Sequence, residues 1–296
     1  MIILQTRGLS KSYGRIQALS SLDLTVRQGM IYGILGPNGS GKTTTLGIVL
    51  GVINAGAGDY TWFEDQYGKN PRKKLGALLE TPNFYPYLSG EDNLRLVAHI
   101  KKIKDPDIPG LLRLVNLLQR KDSGFRTYSL GMKQRLAIAA SLIGDPEAIV
   151  LDEPTNGLDP QGIAEVRETI LQIAAGGKTI IMASHILDEV EKTCTHVGIL
   201  KSGQLLASGP VGAILSNDVL IELGADDLPR LREIFANFPD LKEIEEGSGK
   251  LILHFSADIS AQQLNKAAFE AGLVLTHLVK RQQSLEKQFL EITRSA

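Results

Sequence analysis

The chain predicts an α/β fold, a domain built on a largely parallel sheet over residues 1–215, followed by a small α+β, ferredoxin-like domain over residues 216–296. Three observations carry this. Short β-branched runs alternate with longer helical patterns through the first two thirds. A glycine-rich phosphate-loop consensus stands between a strand pattern and a helix pattern. From about Leu215 the pattern changes to the order βαββαβ.

In chain order, Ile2 to Thr6 and Leu22 to Val26 read as strands, and Met30 to Leu35 as another, stopped by glycine. A helix is expected over Thr43 to Val52. Ala148 to Leu151 and Thr179 to Ala183 are short apolar runs of the kind buried in parallel sheets, with a helix over Gln161 to Ala175 between them. Val197 to Leu200 and Gln204 to Ser208 flank Lys201-Ser202-Gly203, a hairpin signal. Beyond Leu215, Val219 to Leu223 reads as a strand and Leu228 to Phe238 as an amphipathic helix. Lys242 to Glu246 and Lys250 to Phe255 form a hairpin across Gly247-Ser248-Gly249. A helix over Ser260 to Ala271, a strand over Leu273 to Val279 and a last helix over Ser284 to Ile292 complete the chain.

Composition narrows the function classes. With 296 residues, 43% hydrophobic and 22% charged, the balance is that of a folded globular protein, which excludes collagen-like, coiled-coil and wholly disordered readings. The net charge of -1 leaves no basic surplus to drive binding to nucleic acid or anionic lipid. A single cysteine, Cys194, reads as a small buried hydrophobe and implies a reducing compartment, and no Cys/His cluster has zinc spacing. The apolar start Met1 to Arg7 is too short for a signal peptide. The longest apolar stretch, Leu136 to Leu151, is interrupted by Asp145, Pro146 and Glu147, so work at a membrane would need a partner to hold the chain there.

Gly36-Pro37-Asn38-Gly39-Ser40-Gly41-Lys42-Thr43 fits G-x-x-x-x-G-K-[ST] between strand and helix, with Thr44 next in the cradle. Backbone N–H groups of such a loop curl round phosphate oxygens, and the helix start adds partial positive charge. Lys42 is then placed for the β- and γ-phosphates, and Thr43 for Mg²⁺. Ile149 to Asp152 is an apolar strand ending in Asp152-Glu153, at the sheet edge where ligands bind. Asp152 can orient Mg²⁺, and Glu153 can act as general base toward water. The strand ending in Ser184-His185 puts His185 at the same edge, within reach of the γ-phosphate or the attacking water. His99, His196, His254 and His277 carry no such context and read as structural.

Tyr128-Ser129-Leu130-Gly131-Met132-Lys133-Gln134-Arg135, before a helix and upstream of Asp152, resembles the signature of ABC-type ATPases. That signature usually reads Leu-Ser-Gly-Gly-Gln, so Ser129 and Gly131 match while Leu130 and Met132 depart. Together with the phosphate loop, Asp152-Glu153 and His185 it places four motifs in the family's order, so residues 1 to about 215 resemble an ABC-type P-loop ATPase domain. The resemblance implies an ATP- and Mg²⁺-dependent ATPase subunit of a transporter, peripheral on the cytoplasmic face of the membrane, working with a separate transmembrane permease. It further implies a head-to-tail dimer, with itself or a paralogue, in which Ser129 and Gly131 close over the γ-phosphate on the other chain's Lys42. By the same resemblance Tyr13 stacks on adenine, and Asp159 of Asn156-Gly157-Leu158-Asp159 acts in the loop coupling the two sites.

Glu80 stands where the family usually has a glutamine that contacts Mg²⁺ and faces the membrane partner. A carboxylate there binds Mg²⁺ more strongly than an amide but repels Asp152 and Glu153 when the ion is absent. The stretch Glu80 to Leu88 resembles exporters of bacitracin and lantibiotic-type peptides, so export of peptide antibiotics, drugs or lipids is the implied function. The C-terminal domain, with a closing helix over Ser284 to Leu290, resembles an appendage of drug-exporter ATPases that stabilises the dimer or regulates turnover. The competing class is a soluble ABC ATPase acting on ribosomes or nucleic acid. One phosphate loop, a short Thr43-to-Ser129 interval and near-neutral charge argue against it, and no nucleic-acid partner is expected. A nucleotide-regulated binding module without useful hydrolysis is a third class, suggested by the altered signature and Glu80.

Overall fold

The computed structural model describes all residues except 69, 80–81, 215–218, 248, 257–258 and 283–296. The chain divides into two compact units, one up to Val211 and one from Gly212.

In the first unit, β1 (Ile2–Tyr13), β2 (Ile16–Arg27) and β4 (Ala57–Trp62) form an antiparallel sheet in the order β2-β1-β4. The strands expected at Ile2 and Leu22 therefore belong to a separate sheet rather than to the parallel one. Both run longer than the sequence pattern indicates. The β1–β2 register shifts at Thr6/Leu9, Leu9/Lys11 and Lys11/Ser12, and such irregularities erase the alternation by which a strand is read.

The second sheet contains β3 (Ile31–Leu35), β5 (Leu75–Leu78), β6 (Ala148–Asp152), β7 (Thr179–Ser184), β8 (His196–Lys201) and β9 (Gln204–Pro210) in the order β5-β6-β7-β3-β8-β9. All neighbours are parallel except the β8–β9 hairpin. Burial explains the apolar runs: every residue of β3, β6 and β7 is buried. The helix α1 (Lys42–Val49) packs between the two sheets in a core that includes Leu4, Leu22, Ile34, Leu46, Val150 and Ile181. Trp62 Nε1 donates to the Val49 carbonyl at 2.7 Å and ties the end of α1 to β4.

A helical layer has its own core. Leu94 of α2 (Gly90–Ile100), Leu112 of α3 (Ile108–Leu114) and Leu136 of α4 (Leu130–Leu142) meet there with Phe125 and Tyr128. The helices α5 (Pro160–Ala175) and α6 (Leu187–Thr193) follow β6 and β7, and α7 (Val211–Ile214) is a single turn.

The second unit has the order β10 (Val219–Ala225), α8 (Leu228–Phe235), β11 (Leu241–Gly247), β12 (Lys250–Phe255), α9 (Ala261–Glu270) and β13 (Leu275–Gln282). Its sheet is antiparallel throughout in the order β11-β12-β10-β13, the ferredoxin-like arrangement expected from βαββαβ. Ile221, Leu253, Phe255, Phe235 and Leu264 join the sheet and both helices in one core. The last helix expected over Ser284 to Ile292 lies outside the described residues.

Cys194 is buried against β3, where a Cβ on Gly33 would meet its Sγ at 2.9 Å. Burial pushes its thiol up to about 12. At about pH 8 roughly one thiol in ten thousand is then ionised, so Cys194 should resist alkylation in the native protein and react on denaturation. Rapid labelling of the folded chain, followed by mass spectrometry, would contradict this packing.

Candidate active site

Three strand ends converge. β7 lies between β6 and β3, with Leu35 in register with Ser184 and Asp152 with Ala183. The Gly36 amide donates to the Ser184 carbonyl at 3.3 Å, and the Glu153 amide donates to the Ala183 carbonyl at 3.0 Å. The phosphate loop and the acidic strand end thus hang on the same central strand.

The loop is buttressed from two sides. The Gly203 amide, in the β8–β9 turn, donates to the Ser40 carbonyl at 2.9 Å, and the Gly203 carbonyl accepts from the Ser20 amide at 2.8 Å. Gly41 caps α1 with φ 106, and a Cβ at that position would meet the Ala18 carbonyl oxygen at 2.6 Å. Both the backbone angle and the space require glycine there. Pro37, Asn38 and Gly39 are exposed, Gly36, Ser40, Gly41 and Lys42 are buried, Thr43 is exposed and Thr44 half-buried.

Lys42, 5% exposed, donates from Nζ to the carbonyls of Gly36 at 2.8 Å and Pro37 at 3.3 Å, and lies 3.3 Å from Glu153 Oε1. The other carboxylate oxygen, Oε2, lies 2.8 Å from His185 Nδ1 and accepts from the His185 amide at 3.4 Å. Glu153 holds this bridging position with φ 48, the left-handed region that a non-glycine residue adopts at some cost. Thr43, Asp152, Glu153, Asn156, Leu130, Gln134 and Pro82 line one cleft of about 430 Å³. Sequence reasoning assigned no role at this cleft to Gln134, Asn156 or Pro82. All three stand inside motif stretches, Gln134 in Tyr128 to Arg135, Asn156 in Asn156 to Asp159 and Pro82 in Glu80 to Leu88.

The signature residues sit at the start of α4. Ser129 is exposed and caps the helix by accepting from the Met132 amide at 3.3 Å. At Gly131 a Cβ would come no closer than 3.6 Å to any neighbour, so packing within the chain does not demand glycine. Ser129, Gly131 and Asp159 line a second hollow of about 510 Å³, which shares Leu130 with the first. The Asp159 side chain caps α5 by accepting from the Gly162 amide at 2.9 Å. Arg135 anchors the signature helix: its guanidinium donates to the carbonyls of Val115 at 2.7 Å and Asn116 at 3.0 Å and pairs with Glu165 at 2.9 Å. Burial pulls the Arg135 pKa below its ordinary value, with Glu165 opposing.

Tyr13 is not brought to the cleft lining. It ends β1 with 47% exposure, and the Lys11 ammonium lies 5.3 Å from its ring centre. Glu80 lies outside the described residues.

A family model for ABC transporters matches residues 19–156. The bacitracin transport ATP-binding protein BcrA of Bacillus licheniformis is 36% identical over 296 residues, covering 98% of this chain and 97% of that protein. The chain belongs to the ABC transporter family, as an ATP-binding subunit. This ABC ATPase is also similar to the lantibiotic transport ATP-binding protein SrtF of Streptococcus pyogenes, 35% identical over 226 residues, 74% of this chain and 99% of that protein. A solved ATP-binding subunit of an ABC transporter superposes with TM-score 0.63 at 29% identity, covering 72% of this chain and 91% of that one. The subunit is ATP-hydrolysing, and none of its described helices is long and apolar enough to cross a membrane.

Gly41→Ala should lower ATP affinity at least tenfold, because Cβ strains φ and drives into the Ala18 carbonyl, while the circular dichroism spectrum stays near wild type. Calorimetric titration with unchanged affinity would show that the loop does not need this geometry.

Proposed function

We propose that this ABC ATPase powers the export of peptide antibiotics, drugs or lipids through a separate transmembrane permease, from the cytoplasmic face of the membrane. The observation that carries the chemistry is the bridging carboxylate: Glu153 touches Lys42 at 3.3 Å and His185 at 2.8 Å. The substrate class is supported by whole-length similarity to a bacitracin transport protein and by similarity to a lantibiotic transport protein.

In this reading the phosphates of ATP lie on the loop from Gly36 to Thr44, and Lys42 exchanges Glu153 for phosphate oxygens. Glu153 is released on one side and held on the other by His185. It takes a proton from the attacking water as that oxygen bonds to the γ-phosphorus and the bond to the bridging oxygen of ADP breaks. Thr43 and Asp152 offer only oxygen donors on the same cleft, a donor set that fits Mg²⁺. When bound, the ion neutralises phosphate charge. Tyr13 stacks on adenine through its exposed ring. Ser129 and Gly131 of a second copy or a paralogue close over the γ-phosphate, an approach supported by the exposure of Ser129 and by a glycine at 131 that packing within the chain does not demand. Asp159 serves the coupling loop beside that contact.

The test uses a tagged Glu153→Gln chain with ATP. Turnover should fall about 100-fold or more with ATP binding retained, and the trapped chain should recover a polytopic membrane protein from detergent-solubilised native membranes. Normal phosphate release would remove Glu153 from the mechanism. Recovery of ribosomal proteins in place of a membrane protein would move the work of the ATPase away from transport.

A further inference from the structure

The second unit carries a cluster of side chains that the ATPase chemistry does not use. In β12, Leu251, Leu253 and Phe255 face the core, so alternation turns Lys250, Ile252 and His254 to the opposite face. On the neighbouring strand Glu243 stands opposite His254 and Glu245 opposite Ile252. A register shift between Leu241 and Glu243 produces this pairing. Without the extra residue, Lys242 would face His254, so the bulge replaces an ammonium by a carboxylate.

One oxygen from each glutamate and a ring nitrogen of His254 lie within 4.8 Å of one another. His254 is 7% exposed, and among the described residues its buried Nε2 makes no hydrogen bond although Glu245 Oε1 lies 3.3 Å away. A buried polar atom left in that state is destabilising. The other histidine of the sheet is satisfied: His277 Nε2 meets Glu222 Oε2 at 3.2 Å and Lys250 Nζ at 3.3 Å.

We infer that Glu243, Glu245 and His254 bind a divalent transition-metal ion of the zinc class. Imidazole nitrogen beside carboxylate oxygen suits zinc and its first-row neighbours, whereas Mg²⁺ and Ca²⁺ take oxygen ligands. Bonds of about 2.0–2.1 Å at tetrahedral angles separate two ligand atoms by about 3.3–3.4 Å, the spacing found between His254 Nε2 and Glu245 Oε1. The ion gives the buried nitrogen the bonding partner it lacks among the described residues. Glu243 is exposed and Glu245 is 46% exposed, so both carboxylates can rotate to close the set. Three protein ligands leave a fourth position for water. The sequence gives no zinc signal because the ligands sit on adjacent strands, paired across a bulge, rather than at a Cys/His spacing.

The test is zinc titration of the full chain, free of nucleotide and Mg²⁺, in competition with a chromophoric chelator at about pH 7.5. The wild type should bind one equivalent with a dissociation constant below about 10 µM. His254→Ala and the double variant Glu243→Gln/Glu245→Gln should each weaken that binding at least about tenfold, and His277→Ala should leave it unchanged. The double variant alters only exposed carboxylates, so its result stands even if His254→Ala misfolds. The inference is overturned if the wild type binds no zinc in this range, or if the double variant binds it with wild-type affinity.

Discussion

A buried ammonium organises the ATPase unit. Lys42 is almost wholly withdrawn from water, and a charge in that position is costly unless it is paired. Two carbonyls of its own loop and the carboxylate of Glu153 supply the pairing. That requirement propagates outward. The loop must curl tightly enough to aim the Gly36 and Pro37 carbonyls inward, which forces left-handed backbone at Gly41. Glu153 must reach back from the end of β6, which forces positive φ at a residue that disfavours it. The central strand β7 holds both through the carbonyls of Ser184 and Ala183. The pair, with Lys42 buried and the Glu153 side chain 20% exposed, ties these distant segments together.

The same pairing makes the site responsive to anions. A phosphate oxygen offers Lys42 a stronger partner than a neutral carbonyl and competes directly with Glu153. Glu153 also has its second oxygen against His185. In the proposed mechanism, ligand binding and preparation of the base are one rearrangement of these charge partners. The signature helix obeys a different constraint. Its N-terminus is capped by Ser129 and its body is fixed by Arg135, while at Gly131 a Cβ would meet its nearest neighbour at an ordinary 3.6 Å, so the chain's own packing does not require glycine there.

What the sequence discloses follows from how local each feature is. The phosphate loop is contiguous, and its strand and helix flanks are short-range, so Gly36 to Thr43 could be read directly. Asp152, Glu153 and His185 were legible as polar ends of buried runs, because parallel strands present their ends at one edge. The contact between Lys42 and Glu153 was not, since it depends on the strand order β6-β7-β3. The antiparallel sheet was hidden by bulges in β1 and β2, and the cleft roles of Gln134 and Pro82 by the fold that carries them there. In the second unit the strand and helix order was plain. The burial of His254 was not, because its neighbours Leu253 and Phe255 point to the opposite face and nothing in the run Lys250 to Phe255 marks it.

Whether Lys42 and Glu153 act as one unit is read from a double-mutant cycle on the unfolding free energy of the nucleotide-free chain, using Lys42→Met, Glu153→Gln and the two combined. Paired as they are, the substitutions should be non-additive, with a coupling of about 1 kcal/mol or more. Additivity within about 0.5 kcal/mol would mean that the two side chains are neighbours without being partners, and would contradict the account.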